Sequence, residues 1–221
     1  GCDTFYAESM ETVAVNMAEV SPSIIICVPR FFEKMHNALM SKINSASLVR
    51  KKLFNWGLRV GKDYTNIIHA GYKPKLTLRI KRSIASKLIY KKIQAKLGGR
   101  VKFFISGGAP LSRNVAEFFS ALDIMILEGY GLTETSPVLT ASRPNKIRFG
   151  SPGLPLSNVE IKIAKDGEIL AKGPNIMKGY YNSHEATQKV FDNDGWFLTG
   201  DIGEVDQDGF LKITDRKKSL I

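Results

Sequence analysis

The stretch that most constrains this chain is a short apolar run that empties into a glycine-bearing turn. Ile124-Met125-Ile126-Leu127 has the length and unbroken apolar character of a buried strand. Glu128-Gly129-Tyr130-Gly131-Leu132-Thr133-Glu134-Thr135 follows at once. Glycines on either side of a tyrosine permit a tight turn and a close approach of backbone to a ligand. A hydroxyl and a carboxylate come next, so one loop carries parts suited to a flat ring, a phosphate and a metal ion. A second run, residues 101–105, empties likewise into Ser106-Gly107-Gly108-Ala109-Pro110. Between the two, a helix is expected from an N-cap at Ser112 to about Leu122, with Val115, Phe118 and Phe119 facing the core. Strand, loop, helix and strand in that order predict a parallel pair with a right-handed crossover. Ligands in such sheets bind beyond the carboxyl ends of the strands, so the two loops are expected to meet at one site.

Upstream, residues 9–20 read as a helix broken by Ser21-Pro22. Ile24-Ile25-Ile26-Cys27-Val28 reads as a strand covered on both faces and ended by Pro29. A helix restarts over 31–43, where Phe31, Met35, Ala38 and Leu39 share a face. Helices continue to Gly98-Gly99, interrupted at Gly71-Tyr72-Lys73-Pro74, with Ile80, Ile84, Leu88 and Ile93 in helical register. After Pro137 the texture changes. Val159-Glu160-Ile161-Lys162-Ile163 alternates, the mark of a half-exposed strand. Asp166-Gly167 and Asp208-Gly209 are hairpin turns. The expected fold class is α/β: a parallel-sheet α/β subdomain over 1–140, then a small antiparallel, barrel-like subdomain over 141–221.

Composition narrows the function classes. Of 32 Lys and Arg residues, 15 lie in residues 50–100, against a single acid, Asp63. The remainder carries 17 basic and 20 acidic residues. The basicity therefore belongs to one segment, which either faces an anionic partner such as a membrane, nucleic acid or phosphorylated ligand, or is a solvated helical surface. No run approaches the roughly 18 apolar residues of a membrane span. Cys2 and Cys27 make no disulfide framework, Cys27 reads as a small core residue, and a reducing compartment fits. His36, His69 and His184 lack metal-ligand spacing and are expected to be structural or exposed. The Gly1-Cys2-Asp3 start reads as that of an excised piece of a longer protein.

Four clusters stand in register: Ser106 to Pro110, the Glu128 to Thr135 loop, Trp196-Phe197-Leu198-Thr199-Gly200-Asp201, and Asp215-Arg216-Lys217-Lys218. On these, with Gly173 to Tyr181 and His184-Glu185-Ala186-Thr187 between them, nearly the whole chain resembles the acyl-adenylate-forming ligases. The resemblance is strongest to bacterial long-chain fatty-acid–CoA ligases. It implies part of the large N-terminal domain of such an enzyme, ending at the hinge to a C-terminal domain.

Individual roles follow from that resemblance. Gly107, Gly108, Ala109 and Pro110 would line an adenine pocket, with Glu128, Gly129, Tyr130, Gly131 and Leu132 forming its other wall. Tyr130 would stack on adenine, and Tyr130 to Leu132 would adjoin the acyl channel. Thr133 would lie at the ATP phosphates, and Glu134 would hold Mg²⁺, an ion that prefers oxygen ligands. Asp201 would take both ribose hydroxyls, Arg216 would approach the ribose, and Lys218 would mark the hinge. Residue chemistry alone leaves other roles open: a core tyrosine at 130, a helix start capped by Thr133, a turn aspartate at 201, an Arg216 paired with Asp215, a solvated Lys218. Trp196 reads as a packing residue.

The implied reaction joins a long-chain fatty acid to CoA in two steps. The acid's carboxylate attacks the α-phosphorus of ATP, pyrophosphate leaves, and the CoA thiol then displaces AMP. Mg²⁺ and cationic groups would stabilise phosphate charge, and no protein nucleophile is needed. A phosphate loop upstream of Gly1 and a lysine beyond Ile221 would complete the machinery, so this piece alone is expected to make no acyl-CoA. The same scaffold would equally serve an aryl or amino acid, and a non-catalytic basic module is the alternative of another class. Nucleic acid is not expected, peripheral contact of residues 50–100 with an anionic membrane stays open, and the expected compartment is the cytoplasm.

Overall fold

A computed structural model describes residues 3–217, which divide into two compact units, residues 3–126 and 127–217.

In the first unit, Ser9 and Thr12 exchange side-chain and backbone hydrogen bonds, with Ser9 N–H donating to Thr12 Oγ1 at 3.1 Å. This closed turn delays the helix, which spans Val13–Val20 (α1) rather than starting at residue 9. Strand β1 (Ile24–Cys27) runs parallel to β2 (Phe103–Ser106), with Ile25 opposite Phe104. β1 is not covered on both faces as expected. Ile24 and Ile26 share one face of the strand by alternation, and that face is exposed. Pro29 ends the strand and also opens α2 (Pro29–Asn44), since a first-turn proline loses no helical hydrogen bond. The inward face of α2 is set by Phe31 and Phe32, while Ala38 of the expected face is exposed.

Long helix α3 (Leu48–His69) packs on α4 (Leu76–Ala85) and α6 (Arg113–Ala121). Ser112 occupies the N-cap position of α6 but its side chain makes no capping bond. Close packing here depends on absent side chains. A Cβ at Gly61 would lie 1.8 Å from the Ala121 carbonyl oxygen, and one at Gly57 would lie 2.3 Å from Ile89 Cδ1. Rings of Phe32, Phe104, Phe118 and Phe119 meet at centroid distances of 5.3 to 6.1 Å and form the centre of this core. The α6 crossover brings the chain back beside β2, where Phe104 N–H donates to the Met125 carbonyl at 2.9 Å.

The α4 helix runs through one π turn (Ser86–Tyr90) into α5 (Lys91–Ala95). Ala85, Ile89 and Tyr90 are buried, and Tyr90 Oη donates to the Gly57 carbonyl at 2.7 Å. Ile80, Ile84 and Leu88, which share the helical register seen in the sequence, face outward instead at 53%, 46% and 43% exposure. Ala85 and Ile89, one position further along than Ile84 and Leu88, pack where Gly57 lacks a side chain.

The second unit begins with the body of β3 (Ile126–Tyr130), two residues later than the apolar run suggested, and β3 pairs antiparallel with β4 (Thr140–Ala141), which pairs with β5 (Leu154–Pro155). Four further strands, β6 (Glu160–Ile163), β7 (Glu168–Lys172), β8 (Phe197–Val205) and β9 (Leu211–Arg216), form a curled antiparallel meander. The Asp166-Gly167 and Asp208-Gly209 turns stand where expected. A short helix, α7 (His184–Gln188), lies between β7 and β8. Arg148 pairs with Asp206 and Asp208 and stacks over Phe210, pinning the 141–150 loop to the last hairpin.

Candidate active site

Tyr130 is the last residue of β3, and β8 carries Asp201 opposite Arg216 of β9. The three side chains meet. Tyr130 Oη donates to Asp201 Oδ2 at 2.7 Å, and Arg216 Nε donates to Oδ1 at 3.3 Å. Asp201 thus sits in a strand rather than a turn, and Arg216 turns its guanidinium to Asp201 rather than to Asp215. The Asp201 side chain is only 9% exposed. Burial pushes the Tyr130 phenol far above its ordinary range, which keeps it a proton donor to this carboxylate.

Neighbouring residues aim Asp201: Thr199, Gly200 and Lys217 from the clusters named above, and Glu168 from outside them. Gly200 has φ 74°, and its N–H donates to Glu168 Oε1 at 2.9 Å. Only glycine takes that backbone conformation without strain. Glu168 is 4% exposed at its side chain and is paired through Oε2 with Lys217 Nζ at 2.6 Å. Thr199 Oγ1 donates to the Ile169 carbonyl at 2.8 Å and accepts the Asp201 N–H at 3.2 Å. In sequence, Glu168 was visible only as the residue after a hairpin turn, and nothing linked it to Gly200.

Thr133, Glu134 and Thr135 form one 3₁₀ turn. Thr135, not Thr133, caps it: the Leu132 N–H donates to Thr135 Oγ1 at 2.9 Å. Thr133 is left exposed. Glu134 Oε1 accepts the Tyr180 hydroxyl at 3.0 Å, and its backbone carbonyl accepts Met177 N–H at 2.8 Å. Asn175 Nδ2 donates to the carbonyls of Thr135 and Val138 at 2.8 and 2.9 Å, fixing the loop from beneath. Burial, then the Glu134 hydrogen bond, raises the Tyr180 phenol. Tyr180 and Asn175 lie in the 173–181 stretch that resembled the ligases, but no residue pattern there identified them as supports for Glu134.

Glycines of the 128–135 loop serve packing as much as access. A Cβ at Gly131 would lie 1.9 Å from the Pro137 carbonyl oxygen. In the first unit, Gly107, Gly108, Ala109 and Pro110 follow the carboxyl end of β2 as a loop. Gly108 has φ 82°, and a Cβ there would meet no described atom within 4 Å. Ser106 Oγ, at the head of that loop, is buried with no partner among the described residues, a polar atom suited to an added hydrogen bond. Glu128, Gly129 and Leu132 lie along β3 and the turn, with Gly129 opposite Ala141. Lys218 lies outside the described residues. His36 packs edge-on to Phe118 at 4.5 Å, and His184 contacts Gln188.

Asp201 and Glu134 keep acceptor capacity of the kind a nucleotide and its metal use. Each Asp201 oxygen already accepts one hydrogen bond and retains one acceptor direction, together enough for the two hydroxyls of a ribose. Glu134 Oε2 accepts no described hydrogen bond and is a hard oxygen donor next to the turn.

The architecture is that of adenylate-forming N-terminal domains. ATP-bound MatB from Rhodopseudomonas palustris aligns with a TM-score of 0.60 at 25% identity, over 96% of this chain and 34% of that one. O-succinylbenzoate coenzyme A synthetase of Bacillus subtilis, in complex with ATP and magnesium ion, aligns with the same TM-score at 24% identity, over 96% of this chain and 35% of that one. Residues 2–181 match the AMP-binding enzyme family, and the chain belongs to it. Long-chain-fatty-acid–CoA ligase FadD15 of Mycobacterium bovis is 37% identical over 98% of this chain and 35% of its own length. Long chain acyl-CoA synthetase 3 of Arabidopsis thaliana is 32% identical over 98% of this chain and 34% of its own. The chain spans about a third of the length of these relatives.

Proposed function

We propose that this chain supplies the adenylate-binding part of an AMP-forming long-chain fatty-acid–CoA ligase. The Tyr130–Asp201–Arg216 constellation carries the reading. Asp201 takes the ribose hydroxyls, Tyr130 and Arg216 hold its carboxylate in place, and the half-buried ring of Tyr130 is assigned to stack on adenine, worth roughly 1–3 kcal/mol by analogy with bases on aromatic side chains. Gly107 to Pro110 and Glu128 to Leu132 are each assigned to adenine contacts by the motifs they match. Glu134, restrained by Tyr180, holds Mg²⁺, with Thr133 facing the phosphates. Mg²⁺ held there would supply positive charge to the phosphate oxygens. The protein's share is orientation: a carboxylate of the acid is held in line with the α-phosphorus, and the resulting acyl-adenylate is kept from water until the CoA thiol attacks. Lys218 is assigned to the hinge by its place in the Asp-Arg-Lys-Lys motif.

Names of the relatives favour a long-chain fatty acid over an aryl or amino acid. The basic 50–100 segment is assigned to peripheral contact with an anionic surface, in a cytoplasmic enzyme. Among the described residues, no helix is long and apolar enough to cross a membrane.

ATP–pyrophosphate exchange by the full-length gene product tests the reading. Palmitate should stimulate exchange far more than benzoate or any amino acid. Glu134→Gln should lower it by about 100-fold, in line with loss of a charge-stabilising group, and should raise the Mg²⁺ concentration required. Exchange stimulated only by aryl or amino acids would overturn the substrate class. No exchange with any carboxylic acid would overturn the enzyme reading.

A further inference from the structure

Between α3 and the α4–π–α5 helix the first unit holds a cleft of about 340 Å³. Arg79, Arg82, Lys87 and Lys91 line it, with the hydroxyls of Ser83 and Ser86 between them. No carboxylate lines it. Asp123 pairs with Arg82 at 2.6 Å, and Arg82 also stacks over the Tyr64 ring at 4.1 Å, so this guanidinium is held from two sides. Arg79, Lys87 and Lys91 have no carboxylate within salt-bridge distance among the described residues. Three exposed cations and one fixed cation around one hollow give it a positive potential that favours an anion.

The backbone contributes to this gathering. In a regular helix positions 79, 82, 83 and 86 share one face, while 87 and 91 drift off it. The π turn at Ser86–Tyr90 adds one residue to a turn exactly where the lining passes from Ser86 to Lys87. Such turns carry a packing cost and recur at functional sites. Here the turn also sends Ile89 and Tyr90 into the core, where the Tyr90 hydroxyl is bound to Gly57.

We infer that this cleft is a binding site for a phosphate group, separate from the adenylate site and used by a ligand other than ATP. Multi-donor guanidinium and ammonium groups with interleaved hydroxyls suit tetrahedral oxyanions, and a dianionic phosphomonoester matches the charge better than a diester. Two sources share that chemistry. One is a soluble phosphomonoester. The other is a lipid phosphate, for which the exposed Ile80, Ile84 and Leu88 on the neighbouring face of the same helix would provide apolar contact with acyl chains. The inference extends the anionic-surface assignment above from a diffuse charge to a defined cleft.

The test uses the full-length gene product and two probes: glycerol 3-phosphate followed by calorimetry, and phosphatidylcholine vesicles containing either phosphatidic acid or phosphatidylserine at matched surface charge. The cleft variant is Arg79→Gln/Lys87→Gln/Lys91→Gln. Its control, Lys52→Gln/Lys62→Gln/Lys73→Gln, removes three exposed charges from the same segment outside the cleft. Binding of glycerol 3-phosphate that falls at least tenfold in the cleft variant and less than twofold in the control supports the site with a soluble ligand. Preference for phosphatidic acid over phosphatidylserine, lost in the same variant alone, supports it with a lipid ligand. Equal binding to both vesicle types with no glycerol 3-phosphate binding overturns the site, as does an equal effect of the two triple variants, or no binding to either probe. Palmitate-dependent pyrophosphate exchange should be unchanged in the cleft variant, so a failure of the ligase reading and a failure of this one are recorded separately.

Discussion

Tyr130 Oη and Asp201 Oδ2 lie 2.7 Å apart although 71 residues separate them in the chain. The contact joins the end of β3 to the middle of β8, and it does so through a hydrogen bond to a nearly buried carboxylate. Hydrogen bonds to charged partners contribute about 1.5–3 kcal/mol. Tyr130→Phe retains the ring and removes the donor. Amide protection along β8 and β9, measured by hydrogen exchange, is expected to fall by about tenfold, the equivalent of about 1.4 kcal/mol. AMP affinity should fall with it, because Asp201 then swings on Arg216 alone. Unchanged protection would show that Asp201 is positioned without Tyr130.

Lys217 bridges Asp166 at 2.7 Å and Glu168 at 2.6 Å, and its hydrogen bond is the main reason the Asp166 carboxyl is held below its ordinary 3.8. A depressed carboxyl pKa stabilises the fold at pH values above the unfolded value, and the contribution is lost as pH falls through the folded one. Lys217 itself is raised above 10.5, first by Asp166, so its part is present below that value and is lost at higher pH. Lys217→Met should therefore weaken β8–β9 protection throughout the neutral range and flatten its fall between pH 5 and 3. The cost should be about 1–2 kcal/mol, less than for a fully buried pair because Lys217 is 44% exposed. A pH profile parallel to that of the parent would exclude this linkage.

Gly61 and Gly57 should respond differently to alanine. Helix propensity favours alanine at both by about 1 kcal/mol. At Gly61 the new methyl meets a backbone carbonyl, which moves only if α6 moves, and a loss of about 3 kcal/mol is expected. At Gly57 it meets the tip of the flexible Ile89 side chain, and about 1 kcal/mol is expected. Denaturation midpoints of the two variants give the order directly. A Gly61→Ala chain as stable as its parent would mean that α3 and α6 are further apart than described.

Burial pushes the Cys27 thiol up to about 12 from an ordinary 9.0. The folded thiol therefore stays protonated where an unfolded one ionises, so its contribution to stability is full below pH 9 and declines between pH 9 and 12. The thiolate, not the thiol, attacks iodoacetamide and displaces iodide. Native-state labelling of Cys27 at pH 8, separated from Cys2 by peptide mapping, should be at least tenfold slower than labelling in denaturant. Equal rates would place the thiol in solvent.

Local chemistry in the sequence was enough for the strand-to-glycine-loop junctions at Ser106 and Glu128, the hairpin turns at Asp166-Gly167 and Asp208-Gly209, the alternation of β6, and the motif order that matched the AMP-binding enzymes. Each of these is written in consecutive residues, because turn geometry and side-chain alternation depend on neighbours in the chain. Tertiary structure decided what depends on distant partners. It selected Ala85, Ile89 and Tyr90 for burial over the equally periodic Ile80, Ile84 and Leu88, with Ala85 and Ile89 packed where Gly57 of α3 lacks a side chain and the Tyr90 hydroxyl bound to the Gly57 carbonyl. It made Thr135 the cap instead of Thr133, joined Tyr180 to Glu134, and set Glu168 behind Gly200. A carboxylate's role follows from which donors surround it, and those donors come from strands whose pairing no short stretch of sequence contains.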